Sequence, residues 1–316
     1  MPRSILVIDP DADFYKQKLQ AHFPQLEVKT AHSTVEASPL VPDVEVFAGM
    51  PRVFNDDMVR EAKRLKWIQV FTTGTDHVTG MPSLRPDTLV TSTRGMHGPQ
   101  MAEMALMLML ALARDLPRMV RNQERANWER FQQRRLYGKT VLILGVGIIG
   151  EELAVRCKAL GMRVIGVSSA PRVVPGFDRL LPRSELLRSA GEADFLVVLV
   201  PADPSTDKIV NHALLRAMKP SAYLINVARG AICDEAALVR ALEEKWIAGA
   251  GLDVFPQEPP PSGHPIYDCP NVVMTAHTAG WGPGRQERLI ALVAENVRRF
   301  AAGEPLLNLV DKAKGY

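Results

Sequence analysis

A chain of 316 residues is longer than one hydrophobic core serves well, so two domains are expected. Its 47% hydrophobic and 23% charged residues are those of an ordinary folded globule, and a net charge of +3 gives no case for nucleic acid as a partner. Three scattered cysteines, Cys157, Cys233 and Cys269, offer neither zinc spacing nor a disulfide framework and read as apolar fillers in a reducing compartment.

In chain order, "SILVID", "EVKTAH", "VEVFAG", "KWIQVFTTG" and "TLVTST" are short β-branched runs separated by helix-compatible stretches. That alternation predicts an α/β domain with a mainly parallel sheet. From Pro99 to Trp128 the pattern is helical, with a break near Pro117. Its most apolar part, "MALMLMLALA", lies between Glu103 and Arg114 and is too short to span a bilayer. The arginines from Arg114 to Arg135 are interleaved with acids and glutamine, as on a solvated or interface helix. No apolar leader precedes the first strand. These readings place the protein in the cytoplasm, without membrane or nucleic-acid partners.

After Gly138 the strands are stronger: "TVLILG", "RVIGVS", "ADFLVVLVP", "SAYLINVA", "AGAGLDVF" and "NVVMTAH". Near-continuous apolar runs of this length suit strands buried on both faces. The last helix, within "RQERLIALVAENVRRFAAGEP", places Leu289, Leu292, Val293, Val297 and Phe300 on one face and should end at Gly303. That face needs a partner, and the first domain is the expected one. The expected division is therefore 1–99 with 285–316, and 100–284.

The stretch "TVLILGVGIIGEELAVRCKALGMRVIGV" sets Gly145, Gly147 and Gly150 in G-x-G-x-x-G spacing between a strand and a helix. In that context the glycines allow a tight turn, close approach of a pyrophosphate and close helix packing. Helix N-H groups then face the phosphates. The strand that follows should end in Asp or Glu if the ligand is NAD, but Ser168 and Ser169 stand there, with Arg172 beyond. Hydroxyls and a guanidinium suit a 2′-phosphate. NADP(H) is the expected cofactor, with NAD(H) as the alternative.

Three ionisable residues follow strands of the second domain: Arg229 in "INVARGAICDEAALVRAL", Glu258 in "LDVFPQEPP" and His277 in "TAHTAGW". On a parallel sheet those positions share one edge, where such folds bind ligands. For His277 alone, a satisfied core histidine, a metal ligand and a general acid or base compete. No second ligand stands at a usable metal spacing, so no metal is expected.

The glycine loop, "NVARG" followed by Asp and Glu, "LDVFxxEP" and a histidine before "AG" resemble, in this order, the D-isomer-specific 2-hydroxyacid dehydrogenase family, particularly its NADP-preferring glyoxylate/hydroxypyruvate reductase-like members. The resemblance extends to "FTTGTDHV", "RGMHGPQMAE" and "NLVDKAKGY". It implies two doubly wound parallel-sheet domains, a Rossmann dinucleotide-binding domain and a flavodoxin-like substrate domain, with a cleft between. Arg229 would hold a substrate carboxylate and carbonyl, His277 would exchange a proton with the carbonyl oxygen, and Glu258 would orient the imidazole and favour its charged form. The substrate would be a small 2-keto or 2-hydroxy acid, its carboxylate cradled near Gly74 and Thr75. Cofactor contacts are implied at Val146, Ile148, Ile149, Val200, Pro201, Thr206, Ala228, Asp253 and Gly280, Asp253 serving as a cofactor or a backbone ligand. A homodimer through Met101–Trp128 is also implied. Ala276 replaces the proline many members carry before the histidine, and Glu258 is not the glutamine of formate dehydrogenases. His77, His97 and Trp281 have no assigned role. The competing reading is a non-catalytic dinucleotide sensor or corepressor-like protein.

Overall fold

A computed structural model describes residues 2–169, 173–269 and 271–312. The chain divides into two compact units, Met1–His97 with Gly282–Tyr316, and Gly98–Trp281.

In the first unit β1 (Ser4–Ile8), β2 (Glu27–Ala31), β3 (Val46–Gly49), β4 (Trp67–Val70) and β5 (Leu89–Thr91) form one parallel sheet, ordered β2-β1-β3-β4-β5. This is the flavodoxin-like order. Side chains alternate across a strand, so Leu6 and Ile8 enter a core on one face while Ile5 and Val7 enter the core on the other. The helix Arg285–Ala302 closes the second of these cores with Leu289, Val293 and Val297, and Phe300 stacks on Trp67 at 5.7 Å between ring centroids. Gly303 ends it at φ +70°.

A polar network inside this unit was not expected. Asn296 is fully buried on the apolar face of the helix; its Nδ2 donates to Gln69 Oε1 at 3.1 Å and to the Leu307 carbonyl at 3.1 Å, and its Oδ1 accepts from Leu307 N-H at 2.7 Å. Thr91 accepts from Trp67 Nε1 and donates to Gln69, each at 2.8 Å. The network ties the C-terminal segment to the middle of the sheet, and a buried polar group is stable only when paired in this way.

The second unit carries β6 (Thr140–Leu144), β7 (Arg163–Ser168), β8 (Arg179–Pro182), β9 (Phe195–Val198), β10 (Tyr223–Asn226), β11 (Gly249–Leu252) and β12 (Val272–Met274) in the order β12-β11-β10-β9-β6-β7-β8, all neighbours parallel. From β8 across to β11 this is the Rossmann order 3-2-1-4-5-6, with β12 added at the edge. Leu142 and Leu144 face one core, Val141 and Ile143 the other. β8 is a strand the sequence pattern does not announce: "RLLP" is short and only half-buried, and it pairs along one side alone.

The long helical stretch is two helices, Gly98–Ala113 and Leu116–Glu124. Asp115, in the left-handed region at φ +54°, makes the break, and Pro117 follows inside the first turn of the second helix, where its missing N-H is harmless. The helix Ile148–Ala159 buries Gly150, Leu153, Ala154 and Cys157. Among the described residues, no helix is long and apolar enough to cross a membrane. Burial pushes the Cys157 thiol up to about 12, and burial together with Asp234 and Glu235 pushes Cys233 up as well, as for small apolar fillers.

Asn296→Leu removes the acceptor of the Leu307 N-H and a donor to its carbonyl, so it should destabilise the protein by about 3 kcal/mol. A chemical-denaturation midpoint checks this; an unchanged midpoint would remove the network's structural role.

Candidate active site

β6 ends at Leu144 and the chain turns at Gly145, whose φ of +111° strains any L side chain. A Cβ there would meet the Leu199 carbonyl carbon at 2.7 Å and the Val200 nitrogen at 2.8 Å. At Gly147 a Cβ would meet nothing within 4 Å. Gly147 is the N-cap of the helix Ile148–Ala159 and brings no side chain to its N-terminus. First-turn N-H groups have no carbonyl within their own helix, so this is a concave backbone with positive dipole that fits a pyrophosphate. Val146, Ile148 and Ile149 belong to this turn, Ile148 being exposed. Among the described residues, no group of three or more His, Cys, Asp or Glu could hold a metal ion.

β10, β11 and β12 are consecutive in the sheet and parallel, so the loops leaving them share one edge. Arg229 lies in the turn after β10. Asn226, 1% exposed, shapes that turn: its Nδ2 donates to the Arg229 carbonyl at 3.0 Å and its Oδ1 accepts from Ala228 N-H at 3.1 Å. One guanidinium nitrogen of Arg229 donates to the Ala228 carbonyl at 2.8 Å. The next residue, Gly230, admits no Cβ, because one would collide with the backbone of Phe255 and Pro256. The Arg229 turn and the Glu258 loop therefore lie backbone against backbone.

His277 Nδ1 stands 2.8 Å from Glu258 Oε2, with the imidazole half-exposed and the carboxylate mostly buried. The other carboxylate oxygen, Oε1, accepts from Phe255 N-H at 3.2 Å, which fixes the group's direction. Facing a carboxylate, Nδ1 carries a proton, so Nε2 on the far side of the ring is the nitrogen able to gain or lose one. His277 itself is a non-glycine residue at φ +53°.

Asp253 holds that conformation. Its carbonyl accepts the His277 N-H at 2.8 Å. Its carboxylate, in a residue 1% exposed, accepts from Thr278 N-H and Ala279 N-H at 3.0 Å each and from the Thr275 hydroxyl at 2.5 Å. Of the two roles expected for Asp253, the hydrogen bonds found are those of a backbone ligand.

Other expected residues fall as follows. Ser168 ends β7 half-buried and Ser169 is exposed, while Arg172 lies outside the described residues. Thr206 is fully buried, and its hydroxyl donates to the Pro201 carbonyl at 2.7 Å and accepts from Asp203 N-H at 2.8 Å. Its side chain ties together the loop that begins at Val200 and Pro201. Gly280 offers its carbonyl to Gln100 Nε2 at 3.4 Å, and Trp281 is exposed. In the first unit, the Thr72 hydroxyl donates to the Gly74 carbonyl at 2.8 Å, and Thr75, 1% exposed, starts the short helix Asp76–Thr79. His77 Nε2 lies 3.0 Å from the Phe54 carbonyl and His97 Nε2 lies 3.0 Å from the Thr93 hydroxyl, both local ties.

Sequence reasoning passed over Asn226 and Gly230. A polar residue ending the buried run "YLIN" is a signal that could have found the first. The close approach that requires the second is visible only in three dimensions.

The family profile described as "D-isomer specific 2-hydroxyacid dehydrogenase, NAD binding domain" matches residues 106–279. Over 317 residues, 97% of this chain, the sequence is 32% identical to a D-3-phosphoglycerate dehydrogenase of Methanocaldococcus jannaschii, of whose length the chain covers only 59%. A glyoxylate reductase of Thermococcus onnurineus is 35% identical over 263 residues, with 79% of this chain and 78% of that protein covered. The solved structure of an NADPH-dependent glyoxylate/hydroxypyruvate reductase from Sinorhizobium meliloti, in complex with NADP and sulfate, matches with a TM-score of 0.87 at 28% identity, covering 99% of each chain. With a nucleotide-binding profile over most of the seven-stranded unit and relatives of this kind along nearly its full length, the chain belongs to the D-isomer specific 2-hydroxyacid dehydrogenase family of nicotinamide-dependent oxidoreductases.

Proposed function

We propose that this protein is an NADPH-dependent reductase of small 2-keto acids, with His277 as the general acid, Glu258 as its partner and Arg229 as the ligand of the substrate carboxylate and carbonyl. The observation that carries the reading is the 2.8 Å contact between His277 Nδ1 and Glu258 Oε2 at the strand-end edge of a sheet that also carries the glycine turn.

When bound, a reduced nicotinamide supplies the hydride. The chain's own residues do the rest. The Glu258 carboxylate stabilises the imidazolium and keeps Nδ1 occupied, so that His277 gives its proton from Nε2 to the carbonyl oxygen as negative charge develops there, and takes it back in the reverse direction. Arg229, its guanidinium oriented through the Ala228 carbonyl, presents a planar fork suited to a carboxylate beside a carbonyl. The backbone near Gly74 and Thr75 is assigned to the substrate carboxylate by the same family reading.

The preference for NADP(H) over NAD(H) rests on Ser168, Ser169 and Arg172 where an acidic residue would repel a 2′-phosphate. The dependence of the Sinorhizobium meliloti relative on NADPH supports it. A cytoplasmic homodimer is part of the proposal: Met107, Leu110, Leu116 and Val120 are large apolar residues left exposed along Met101–Trp128, and Trp128 is 92% exposed, as a subunit contact requires.

Glyoxylate, hydroxypyruvate and short aliphatic 2-keto acids assayed with NADPH and NADH test the reading. Turnover with NADPH at higher kcat/KM than with NADH is expected. Absence of turnover on every acid, with tight NADPH binding retained, would favour a dinucleotide sensor, and at least tenfold better kcat/KM with NADH would reverse the cofactor assignment. Asp253→Asn would set an amide N-H against a backbone N-H of the His277 loop, at a cost of about 1–3 kcal/mol. Hydrogen exchange should show the Thr278 and Ala279 amides losing protection while β6 and β9 keep theirs; unchanged protection at both would remove Asp253 from the account.

A further inference from the structure

Glu258 begins a proline run, Pro259–Pro261, and the far end of that loop is fixed at His264. There Nδ1 accepts the Ile266 N-H at 3.2 Å and caps the short turn Pro265–Asp268, while Ile266 enters the core beneath the sheet. A ring nitrogen that accepts a backbone N-H carries no proton, so the imidazole proton lies on Nε2. That atom stands 3.3 Å from Glu235 Oε2. The imidazole is 17% exposed and the carboxylate 33% exposed, so neither is a freely solvated surface charge.

Glu235 is the first residue of the helix Glu235–Glu243, which Asp234 caps through the Ala237 N-H at 3.2 Å. The chain enters this helix directly from the turn Gly230–Ile232 that follows Arg229. The Arg229 segment and the Glu258 segment thus meet twice, once where Gly230 passes the Phe255–Pro256 backbone and again where Glu235 meets His264. The first contact aligns the near ends of the two loops; between them and His264, the Pro260 carbonyl accepts the Tyr267 hydroxyl at 3.3 Å and the Pro261 carbonyl accepts the His264 N-H at 3.0 Å, so the direction of this run follows that of His264. The second contact closes that run.

We infer that Glu235 and His264 form a positioning clamp that holds the Glu258 loop, and with it the Glu258–His277 contact, in register with Arg229. Neither residue touches the reacting groups. The inference rests on the proposed acid–base role of Glu258 and His277.

Glutamine and asparagine separate the two bonds of His264. Asparagine at 264 can offer an acceptor to the Ile266 N-H but does not reach Glu235; glutamine reaches Glu235 but gives up the cap. With NADPH and glyoxylate, Glu235→Ala and His264→Asn should each lower kcat about tenfold, while KM for NADPH stays within about twofold, because orientation of the acid is lost and the dinucleotide site is untouched. Glu235→Gln, which keeps an acceptor for Nε2-H, and His264→Gln should each recover most of kcat. Wild-type kcat in Glu235→Ala or His264→Asn would overturn the clamp, and a loss in His264→Gln beside an intact His264→Asn would reduce His264 to a cap; equal losses in His264→Gln and His264→Asn would also overturn it, since a side chain that reaches Glu235 would then restore nothing. Glu258→Gln is assayed alongside: if it leaves kcat unchanged, the acid–base reading fails, whereas a large loss there with none in Glu235→Ala fails the clamp alone.

Discussion

The Asp253 side chain turns from the end of β11 onto the loop that follows β12, where it accepts two backbone N-H groups and a hydroxyl while its own carbonyl receives the His277 N-H. A non-glycine residue in the left-handed region costs about 1–2 kcal/mol, and it persists only where its surroundings over-determine it. Here four hydrogen bonds from one residue do so. Because β10 and β11 are parallel neighbours, that residue is rigidly placed relative to the strand that delivers Arg229. The direction of the imidazole is therefore a property of the sheet, transmitted through one buried carboxylate.

The rest of the edge follows the same logic. Asn226 does for the Arg229 turn what Asp253 does for the histidine loop, and Gly230 allows the neighbouring loop to approach without an intervening side chain. Gly145 turns the chain beside Val200 where no Cβ fits, and leaves Gly147 and the helix start facing outward. In each case a polar or missing side chain at the end of an apolar strand sets the direction of the next few residues. Ligand chemistry gathers at that edge because the carboxyl ends of the strands are where loops are free to differ.

Much of this is legible in the sequence. The short, near-continuous apolar runs locate nearly every strand, since strands buried on both faces need apolar residues at almost every position, and the C-terminal helix is legible from its one-sided apolar face. Arg229, Glu258 and His277 stand out as ionisable residues just beyond such runs. What stays hidden depends on contacts between distant segments. Asn296 interrupts an apolar helix face and reads as an error until Gln69 and Leu307 are seen to satisfy it. The bonds of the Thr206 hydroxyl to Pro201 and Asp203 are likewise invisible in the sequence, because nothing in the run announces how the loop folds back on itself. β8 escapes notice because an edge strand half open to solvent has no need of a long apolar run.

The central claim is that the Nε2 nitrogen of a held imidazole gives and takes the proton. His277→Ala removes that nitrogen and leaves the glycine turn untouched. Single-turnover reduction of glyoxylate by the NADPH-loaded variant tests the claim most directly: the account predicts a rate lower by roughly 10²–10⁴-fold, the range of general acid catalysis, with NADPH affinity nearly unchanged. A rate within a fewfold of the unmodified protein would contradict it.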